Sequence, residues 1–273
     1  MKNSTKTYLS KNPNPHLEQM GLSLEKHNRV IALAGNPNTG KSTVFNRLTG
    51  LNQHTGNWPG KTVTRAEGAY QYQGVRYKVV DLPGTYSLLS ATQDEEVARN
   101  FILFGQPDCT IVVTDATSLE RNLNLVLQVI EITDRVVVAV NLMDEARRKG
   151  IQIDTHSLSS DLGIPAVPIT AISGEGFQTL LRTVADVSGG KQKNKPLRLK
   201  GTPEFQQAVS KLSRTIENTY PKIPNARWLA IRLLDGDARV QQALMSGELI
   251  TLVSEQNISD VSFSKKISVK GHQ

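Results

Sequence analysis

The sequence predicts an α/β protein with a mostly parallel sheet flanked by helices, followed by a small all-α domain. From residue 29 to 187, strand-like apolar runs alternate with helical periods, which is the pattern of a parallel-rich sheet. A Gly- and Lys-rich break at 188–201 ends this pattern, and only helical periods follow it. A glycine-rich loop joins the first strand to the first helix, as in nucleotide-binding α/β proteins.

The elements follow from local patterns. Strands are predicted over 30–34, 63–72, 75–80, 109–114, 136–141 and 166–170, and helices over 41–48, 95–104, 119–132 and 178–187. After the break, Thr202 and Pro203 supply a capping hydroxyl and a proline at the first helical position. An apolar stripe then runs from Phe205 to Tyr220, and further helical pieces are predicted at 226–234, 240–245 and 249–253. The predicted divisions are a flexible polar arm (1–28), the α/β domain (29–187), a basic linker (188–201), a helical domain (202–256) and a basic tail (257–273).

Composition narrows the functional classes. The 273 residues include one cysteine, Cys109, so a disulfide framework is excluded. No apolar run approaches the ~18 residues of a membrane span, so the chain as given is expected to be soluble and cytosolic. Eight basic residues of the +7 chain lie in 191–200 and after Ser264, and removing them leaves 24 basic against 25 acidic residues. A nearly neutral body predicts no nucleic-acid partner.

The run between the first strand and the first helix has the form of a phosphate-binding P-loop. Its glycines let backbone N–H groups point inward, where the helix N-terminus adds positive potential. Lys41 can reach the β- and γ-phosphates, and the Ser42 hydroxyl can ligate Mg²⁺. The predicted nucleotide-binding residues here are Gly35, Asn36, Pro37, Asn38, Thr39, Gly40, Lys41, Ser42 and Thr43.

Two further motifs end strands of the same predicted sheet. Asp81 closes the strand at 75–80 and can hold Mg²⁺ through water, while the Gly84 N–H can sense the γ-phosphate. Asn141 ends the strand at 136–141, and Asp144 follows three residues later. The Asp144 carboxylate can accept from the ring N–H and the exocyclic amine of guanine, whereas adenine would leave it unpaired. Leu142 replaces the usual lysine, so looser nucleotide binding is expected.

The last motif is Thr170, Ala171 and Ile172, where the Ala171 N–H is expected to meet the guanine carbonyl oxygen. An ordinary strand-to-helix turn is the alternative interpretation of this run. Except for the P-loop, each motif is weak alone. Their order along the chain predicts a P-loop GTPase domain that binds GTP and GDP with Mg²⁺.

Residues 52–62, which we call the switch segment, lie between the first helix and the next strand. The segment is polar and rich in glycine, so a mobile loop over the phosphates is predicted rather than regular structure. Thr62 is the candidate for a second hydroxyl on Mg²⁺, with its N–H on the γ-phosphate. Trp58 lies in this predicted mobile loop, and the alternative interpretation is that its side chain is a buried anchor of the loop. The two interpretations are compatible.

Three runs together resemble the cytosolic GTPase domain of FeoB, the bacterial ferrous iron transport protein B family. They are Gly-Asn-Pro-Asn-x-Gly-Lys-Ser, Gly-Asn-Trp-Pro-Gly-x-Thr-Val and Asp-Leu-Pro-Gly-Thr-Tyr-Ser-Leu. The resemblance covers about 29–254 and implies that the helical domain regulates nucleotide dissociation. It also implies a place at the cytoplasmic face of the bacterial inner membrane, beside a membrane transport domain normally on the same polypeptide. No such domain and no iron ligand set is visible in this sequence, and self-association into a homo-oligomer is left open.

Slow intrinsic hydrolysis is expected. Thr85 stands where many small GTPases carry a water-orienting glutamine, and the switch segment offers no arginine. The resemblance to potassium-dependent relatives implies that Asn38 and the carbonyls of Gly56 and Trp58 hold K⁺ between the phosphates. The catalytic residues expected on this basis are Asn38, Lys41, Thr62 and Gly84.

Three alternatives remain at the level of sequence. A ribosome-associated assembly GTPase would share the potassium dependence, but it would normally carry a basic RNA-binding module. A binding-only switch would hydrolyse GTP too slowly to turn over and would act through its helical domain. A P-loop ATPase is disfavoured by Asp144 and its position.

Overall fold

The computed structural model describes residues 17, 20, 22, 29–50, 53–89, 92–198, 200–221 and 223–247. Within these ranges, seven strands form one sheet in the order β2-β3-β4-β1-β5-β6-β7. Strands β4, β1, β5, β6 and β7 are parallel, while β2 and β3 continue the sheet as antiparallel strands. The strands are β1 (Arg29–Gly35), β2 (Gln53–Asn57), β3 (Thr64–Tyr72), β4 (Val75–Asp81), β5 (Cys109–Asp115), β6 (Val136–Asn141) and β7 (Ala166–Pro168).

Six α-helices of the described residues accompany the sheet, and three follow it as a helical domain. The first six are α1 (Lys41–Thr49), α2 (Gln93–Gly105), α3 (Leu119–Ile132), α4 (Met143–Arg148), α5 (Thr155–Leu162) and α6 (Phe177–Ser188). The helical domain contains α7 (Pro203–Thr219), α8 (Ala226–Leu234) and α9 (Ala238–Met245). The predicted fold class, a mostly parallel sheet with flanking helices and a following helical domain, is therefore confirmed.

The sheet has an apolar cluster on each face. Helices α1 and α6 cover one face, with Phe45 and Leu180 among the buried side chains. Helices α2 and α3 cover the other, and this cluster continues into the helical domain through Leu229 and Val240. The central strands β1, β5 and β6 are buried almost throughout, because both faces of a parallel sheet are covered. The helical domain thus shares a core with the α2–α3 face.

Sequence patterns missed two helices and one strand. Helix α5 is polar and eight residues long. Asp154 is its N-cap, and the Asp154 carboxylate accepts hydrogen bonds from the N–H groups of His156 and Ser157. Helix α4 has only six residues. Strand β2 lies in the switch segment, so the prediction of an irregular loop is wrong for Gln53–Asn57. Its residues are all exposed, and backbone pairing with β3 rather than side-chain burial keeps them extended.

The predicted flexible arm differs from the structure at the positions that are described. Leu17, Met20 and Leu22 are buried in the cluster of the α2–α3 face. The Leu22 N–H donates to the Leu17 carbonyl at 3.0 Å. The rest of 1–28, the predicted helix at 249–253 and the tail at 257–273 lie outside the described residues.

The basic linker is attached to the α/β domain. The N–H groups of Lys195 and Leu197 donate to the carbonyls of Gly163 and Leu162, at 3.0 and 2.9 Å. The Arg198 guanidinium pairs with Asp134. These contacts hold this part of the linker against the α/β domain. None of the helices within the described ranges combines the length and the apolar character that a membrane crossing requires.

Candidate functional site: a nucleotide-binding edge

The P-loop lies between β1 and α1 at the carboxyl edge of the parallel strands, where ligands bind in open α/β sheets. Asn38 and Gly40 have φ values of 66° and 77°, so the loop turns sharply into α1. The Thr39 hydroxyl donates to the Asn36 carbonyl at 2.9 Å and braces the loop. No side chain of the described residues caps α1, and Ser42 and Thr43 in its first turn are exposed. Its N-terminal N–H groups are thus available to an anion.

Lys41 and the end of β4 face each other across this edge. The Lys41 ammonium pairs with the Asp81 carboxylate. Burial raises the pKa of the Asp81 carboxyl above its ordinary value, and the neighbouring Lys41 charge offsets part of that rise. A Cβ on Gly84 would lie 3.7 Å from the Cα of Pro37, so Gly84 sits against the P-loop. The structure therefore brings together the predicted phosphate and magnesium groups of β1, α1 and β4.

Asn141 connects the P-loop to the two predicted base-binding segments. Its side-chain N–H donates to the Thr39 carbonyl at 2.9 Å, and its Oδ1 accepts from the Ala171 N–H at 3.0 Å. The Ala171 N–H is thus bonded within the protein, and its contact with the guanine carbonyl stays a prediction. Ile172, next in the chain, is 75% exposed and offers a neighbouring N–H on the same loop.

Asp144 lies in the first turn of α4. Its Oδ1 is buried and has no hydrogen-bond partner among the described residues, while Oδ2 is 4.0 Å from Arg148. An unpaired buried carboxylate oxygen is costly unless a ligand satisfies it. Asn36 Oδ1, in the P-loop, is likewise buried without a hydrogen-bond partner among the described residues. Both orphaned atoms belong to the predicted nucleotide site.

Residues 53–62, the described part of the switch segment, are folded against β3 and α2. After β2, the Trp58 N–H donates to the Val63 carbonyl at 2.9 Å, and the Trp58 carbonyl accepts from the Lys61 N–H at 3.0 Å. The Trp58 ring is 5% exposed and packs edge-on against Phe101 of α2, with ring centroids 5.4 Å apart. The interpretation of Trp58 as a buried anchor agrees with this packing.

Three residues of the switch segment were predicted to reach the ions. The Thr62 hydroxyl instead donates to Gln93 Oε1 of α2, at 3.4 Å. Gly56 is paired opposite Arg65 in the β2–β3 ladder. The structure holds Thr62, Gly56 and Trp58 with β3 and α2, and it does not join them to Asn38.

Thr85 follows Gly84 and is turned into the protein. It is 5% exposed, its hydroxyl donates to the Ser87 carbonyl, and its N–H donates to the Gly35 carbonyl at 3.2 Å. The Gln128 side chain of α3 accepts from the Leu88 N–H at 2.6 Å and fixes the loop beyond it. A hydroxyl engaged in this way does not take the place of a water-orienting glutamine.

The donors at this edge suit a hard cation, because Mg²⁺ prefers oxygen ligands such as the Ser42 hydroxyl and the Asp81 carboxylate. The carbonyl and amide oxygens predicted for K⁺ are chemically suitable, but Gly56 and Trp58 would have to move toward Asn38. Among the described residues, no group of three or more histidine, cysteine or acidic side chains could hold a metal ion. The described part of the chain therefore shows no iron site.

Several residues near the site were not found from the sequence. Glu96 of α2 accepts from Lys61 of the switch segment at 3.3 Å and from Arg239 of α9 at 2.8 Å. Burial alone would raise the pKa of Glu96, but the Arg239 hydrogen bond and Lys61 lower it below its ordinary value. No local spacing could have revealed partners so distant in the chain. Thr92 and Glu95, by contrast, form a capping box that the pattern Thr-x-x-Glu predicts at the start of α2.

A P-loop between strand and helix, an acidic strand end and an asparagine–aspartate base motif define a G domain, here followed by a helical domain. Residues 29–184 match the family described as ferrous iron transport protein B, and residues 202–262 match the FeoB cytosolic helical domain. The chain belongs to the ferrous iron transport protein B family.

Individual members of the family and their solved structures support this assignment. The chain is 39% identical over 212 residues to the Fe(2+) transporter FeoB of Escherichia coli K12, covering 76% of this chain and 27% of that protein. It is also similar to the cytosolic domain of the T. maritima FeoB iron transporter. The GDP form II of that domain gives 33% identity and a TM-score of 0.74, covering 85% of this chain and 89% of the other. The GMPPNP form of the same domain gives 32% identity and a TM-score of 0.73, covering 85% of this chain and 88% of the other. The chain spans about a quarter of the length of the E. coli relative.

Proposed function

We propose that this chain binds and hydrolyses GTP as the cytosolic regulatory part of a bacterial ferrous iron transporter. The observation that carries the proposal is the Asn141 side chain, which ties the P-loop to the 170–173 loop beside the orphaned Asp144 oxygen. Relatives solved in GDP and GMPPNP forms support a guanine nucleotide at this edge. The names of the longer relatives support a membrane transport domain as partner and a place at the cytoplasmic face of the inner membrane.

The roles of the site residues follow from their positions. The P-loop N–H groups and Lys41 would hold the phosphates, and Ser42 with Asp81, through water, would hold Mg²⁺. Lys41 would then exchange its pairing with Asp81 for the β- and γ-phosphates. Asp144 would accept from guanine, and the 170–173 loop would offer a backbone N–H to the guanine carbonyl oxygen. Gly84 and Thr62 would contact the γ-phosphate once the switch segment leaves α2.

Hydrolysis would depend on K⁺. Thr85 is engaged with Ser87 and the switch segment carries no arginine, so positive charge between the phosphates has to come from elsewhere. Asn38 is exposed at the tip of the P-loop, where its amide oxygen could ligate a monovalent cation. The carbonyls of Gly56 and Trp58 would complete that site after the switch segment moves. The rate without K⁺ is expected to be slow.

The test is single-turnover GTP hydrolysis in KCl and in NaCl at equal ionic strength, with Asn38→Ala beside the wild type. The wild type should be at least about tenfold faster in KCl, a difference of ~1.4 kcal/mol in the barrier. Asn38→Ala should lose this stimulation and keep its GDP affinity. Asn46→Ala, the same change within α1, is the matched control. Equal wild-type rates in both salts would exclude the potassium role.

A further inference from the structure

One carboxylate is shared by the switch segment and the helical domain. Glu96 lies in the first turns of α2, and its Oε2 accepts from Lys61 while its Oε1 accepts from Arg239. The three residues come from separate parts of the chain: the turn after β2, the helix α2 and the helix α9. Glu96 therefore links Lys61 of the switch segment to Arg239 of the helical domain.

The Glu96 carboxylate needs at least one of these cations. The residue is only 8% exposed, and a buried carboxylate without a partner is strongly destabilising. The side chains of Lys61 and Arg239 are about one third exposed, so each can find water when it is released. Losing one cation leaves Glu96 compensated by the other, whereas losing both leaves a buried charge unpaired.

Lys61 has to leave this pair if the switch segment is to reach a nucleotide. It precedes Thr62, whose hydroxyl contacts Gln93 one turn before Glu96. Its N–H is also bonded to the Trp58 carbonyl, one of the proposed K⁺ ligands. In the structure, Gln93 and Glu96 of α2 therefore bind Thr62 and Lys61. These contacts keep the switch segment away from the positions proposed for the γ-phosphate and the ions.

We propose that Glu96 is a positioning residue that couples the switch segment to the helical domain, with Arg239 retaining the carboxylate when Lys61 departs. This proposal rests on the proposed GTPase function. With Arg239 in place, release of Lys61 costs one ion pair, and both charges keep a partner because Glu96 stays paired with Arg239 and Lys61 reaches water. Without Arg239, the same release isolates Glu96, so the switch segment stays on α2. The helical domain thus lowers the barrier to closure over the nucleotide.

This coupling predicts opposite effects for two substitutions. Arg239→Ala should slow closure, because Lys61 becomes the sole counter-ion of Glu96. Glu96→Gln should release Lys61, since a neutral amide needs no counter-ion. The double variant Arg239→Ala/Glu96→Gln should then close as fast as the wild type. A role of Arg239 in packing alone would not be rescued in this way.

Trp58 provides the readout, because it lies in the switch segment and the sequence has only two tryptophans. In a Trp228→Phe background, mixing with GMPPNP should give a Trp58 fluorescence change whose rate reports closure. Arg239→Ala should slow the fluorescence change at least about tenfold, a factor that allows for partial exposure of the ion pair. The double variant should restore the wild-type rate. Arg227→Ala, which removes the 2.7 Å pair with Glu131 of α3, is the matched inter-domain control and should leave the rate unchanged.

Two results would overturn the coupling: an Arg239→Ala rate equal to that of Arg227→Ala, or a double variant as slow as Arg239→Ala. Acrylamide quenching of Trp58 without nucleotide separates this failure from failure of the proposed function. In this quenching experiment, Glu96→Gln should make Trp58 more accessible to acrylamide than it is in the wild type. Absence of GDP and GMPPNP binding would contradict the proposed function, whereas unchanged quenching would contradict the role of Glu96.

Discussion

Asn141 shows how one side chain can assemble a site from three segments. Its amide uses both ends, donating to the P-loop at Thr39 and accepting from Ala171. The approach is so close that a Cβ on Gly40 would collide with the Asn141 amide nitrogen. Gly40 therefore serves the loop in two ways, through its positive φ and through the space that it leaves. Two motifs a hundred residues apart thus depend on each other.

At the same scale, Asp144→Asn is expected to weaken GDP binding by about 100-fold or more. The amide loses the charge that strengthens two hydrogen bonds to guanine, each worth about 1.5–3 kcal/mol. Discrimination between GDP and ADP should narrow as well. The measurement is competition of both nucleotides against a fluorescent guanine nucleotide.

Glu145→Gln is the control for this change, because Glu145 is the adjacent carboxylate and also lies near Arg148, at 3.7 Å. It should leave both affinities unchanged. An Asp144→Asn protein that binds GDP as tightly as the wild type would show that Asp144 does not recognise the base.

Helix α2 organises the site at the level of elements. Side chains of its first turns bind Lys61 and Thr62, and Phe101 further along packs against Trp58. Leu17 and Met20 lie against its last residue, Gly105. A Cβ at Gly105 would lie 3.0 Å from Leu17 Cδ2 and 3.3 Å from Met20 Sδ. The Arg65 guanidinium donates to the Met20 carbonyl at 2.7 Å and lies over the Trp58 ring. Leu17 and Met20 therefore pack together with the described part of the switch segment and α2.

Leu17→Asp is expected to detach this part of the arm and to destabilise the protein by about 2 kcal/mol, the value of one buried leucine. Trp58 emission should shift to longer wavelength as water reaches the ring. Urea denaturation and fluorescence measure both effects. Leu197→Asp, at a leucine that is 57% exposed, is the control. If the two variants unfold alike and Trp58 emission is unchanged, the arm does not stabilise the switch segment.

At the scale of the whole molecule, the helical domain is joined to the G domain by a shared core and by polar contacts. Asn225, with φ 49°, begins α8 by accepting from the Trp228 N–H at 3.0 Å. Its side-chain N–H groups also donate to the carbonyls of Glu131 and Ile132 at the end of α3, at 3.0 and 2.8 Å. One residue thus caps a helix of one domain and satisfies the last carbonyls of a helix in the other.

Asn225→Ala should therefore cost about 2–3 kcal/mol, since it removes a cap and places alanine in the left-handed region. Asn225→Gly loses the same side-chain contacts but tolerates the positive φ, so it should cost about 1 kcal/mol less. Chemical denaturation compares the two, and hydrogen exchange at the start of α8 shows where the loss occurs. Equal stability of the alanine and glycine variants would contradict the role of the backbone conformation.

The sequence by itself determined the fold class, most element positions and the edge of the sheet that carries the candidate nucleotide site. These features are local, because a strand, a P-loop and a capped helix are encoded by neighbouring residues. Six strands and the long helices were found from hydrophobic period and start signals, while β2 was missed because its polar residues depend on pairing with β3. The short helices α4 and α5 offered too few turns for a period to be seen.

Tertiary structure alone decided what each site residue contacts. It assigned the Ala171 N–H to Asn141, turned Thr62 toward Gln93 and placed Leu17, Met20 and Leu22 in the core. It also joined Glu96 to Arg239, which lies 143 residues further along the chain. A hydrogen bond or ion pair between distant segments has no period or spacing in the sequence, because it depends on where the packed elements place each side chain. The chemistry available to the site was therefore predictable from the sequence, whereas the state of its switch was not.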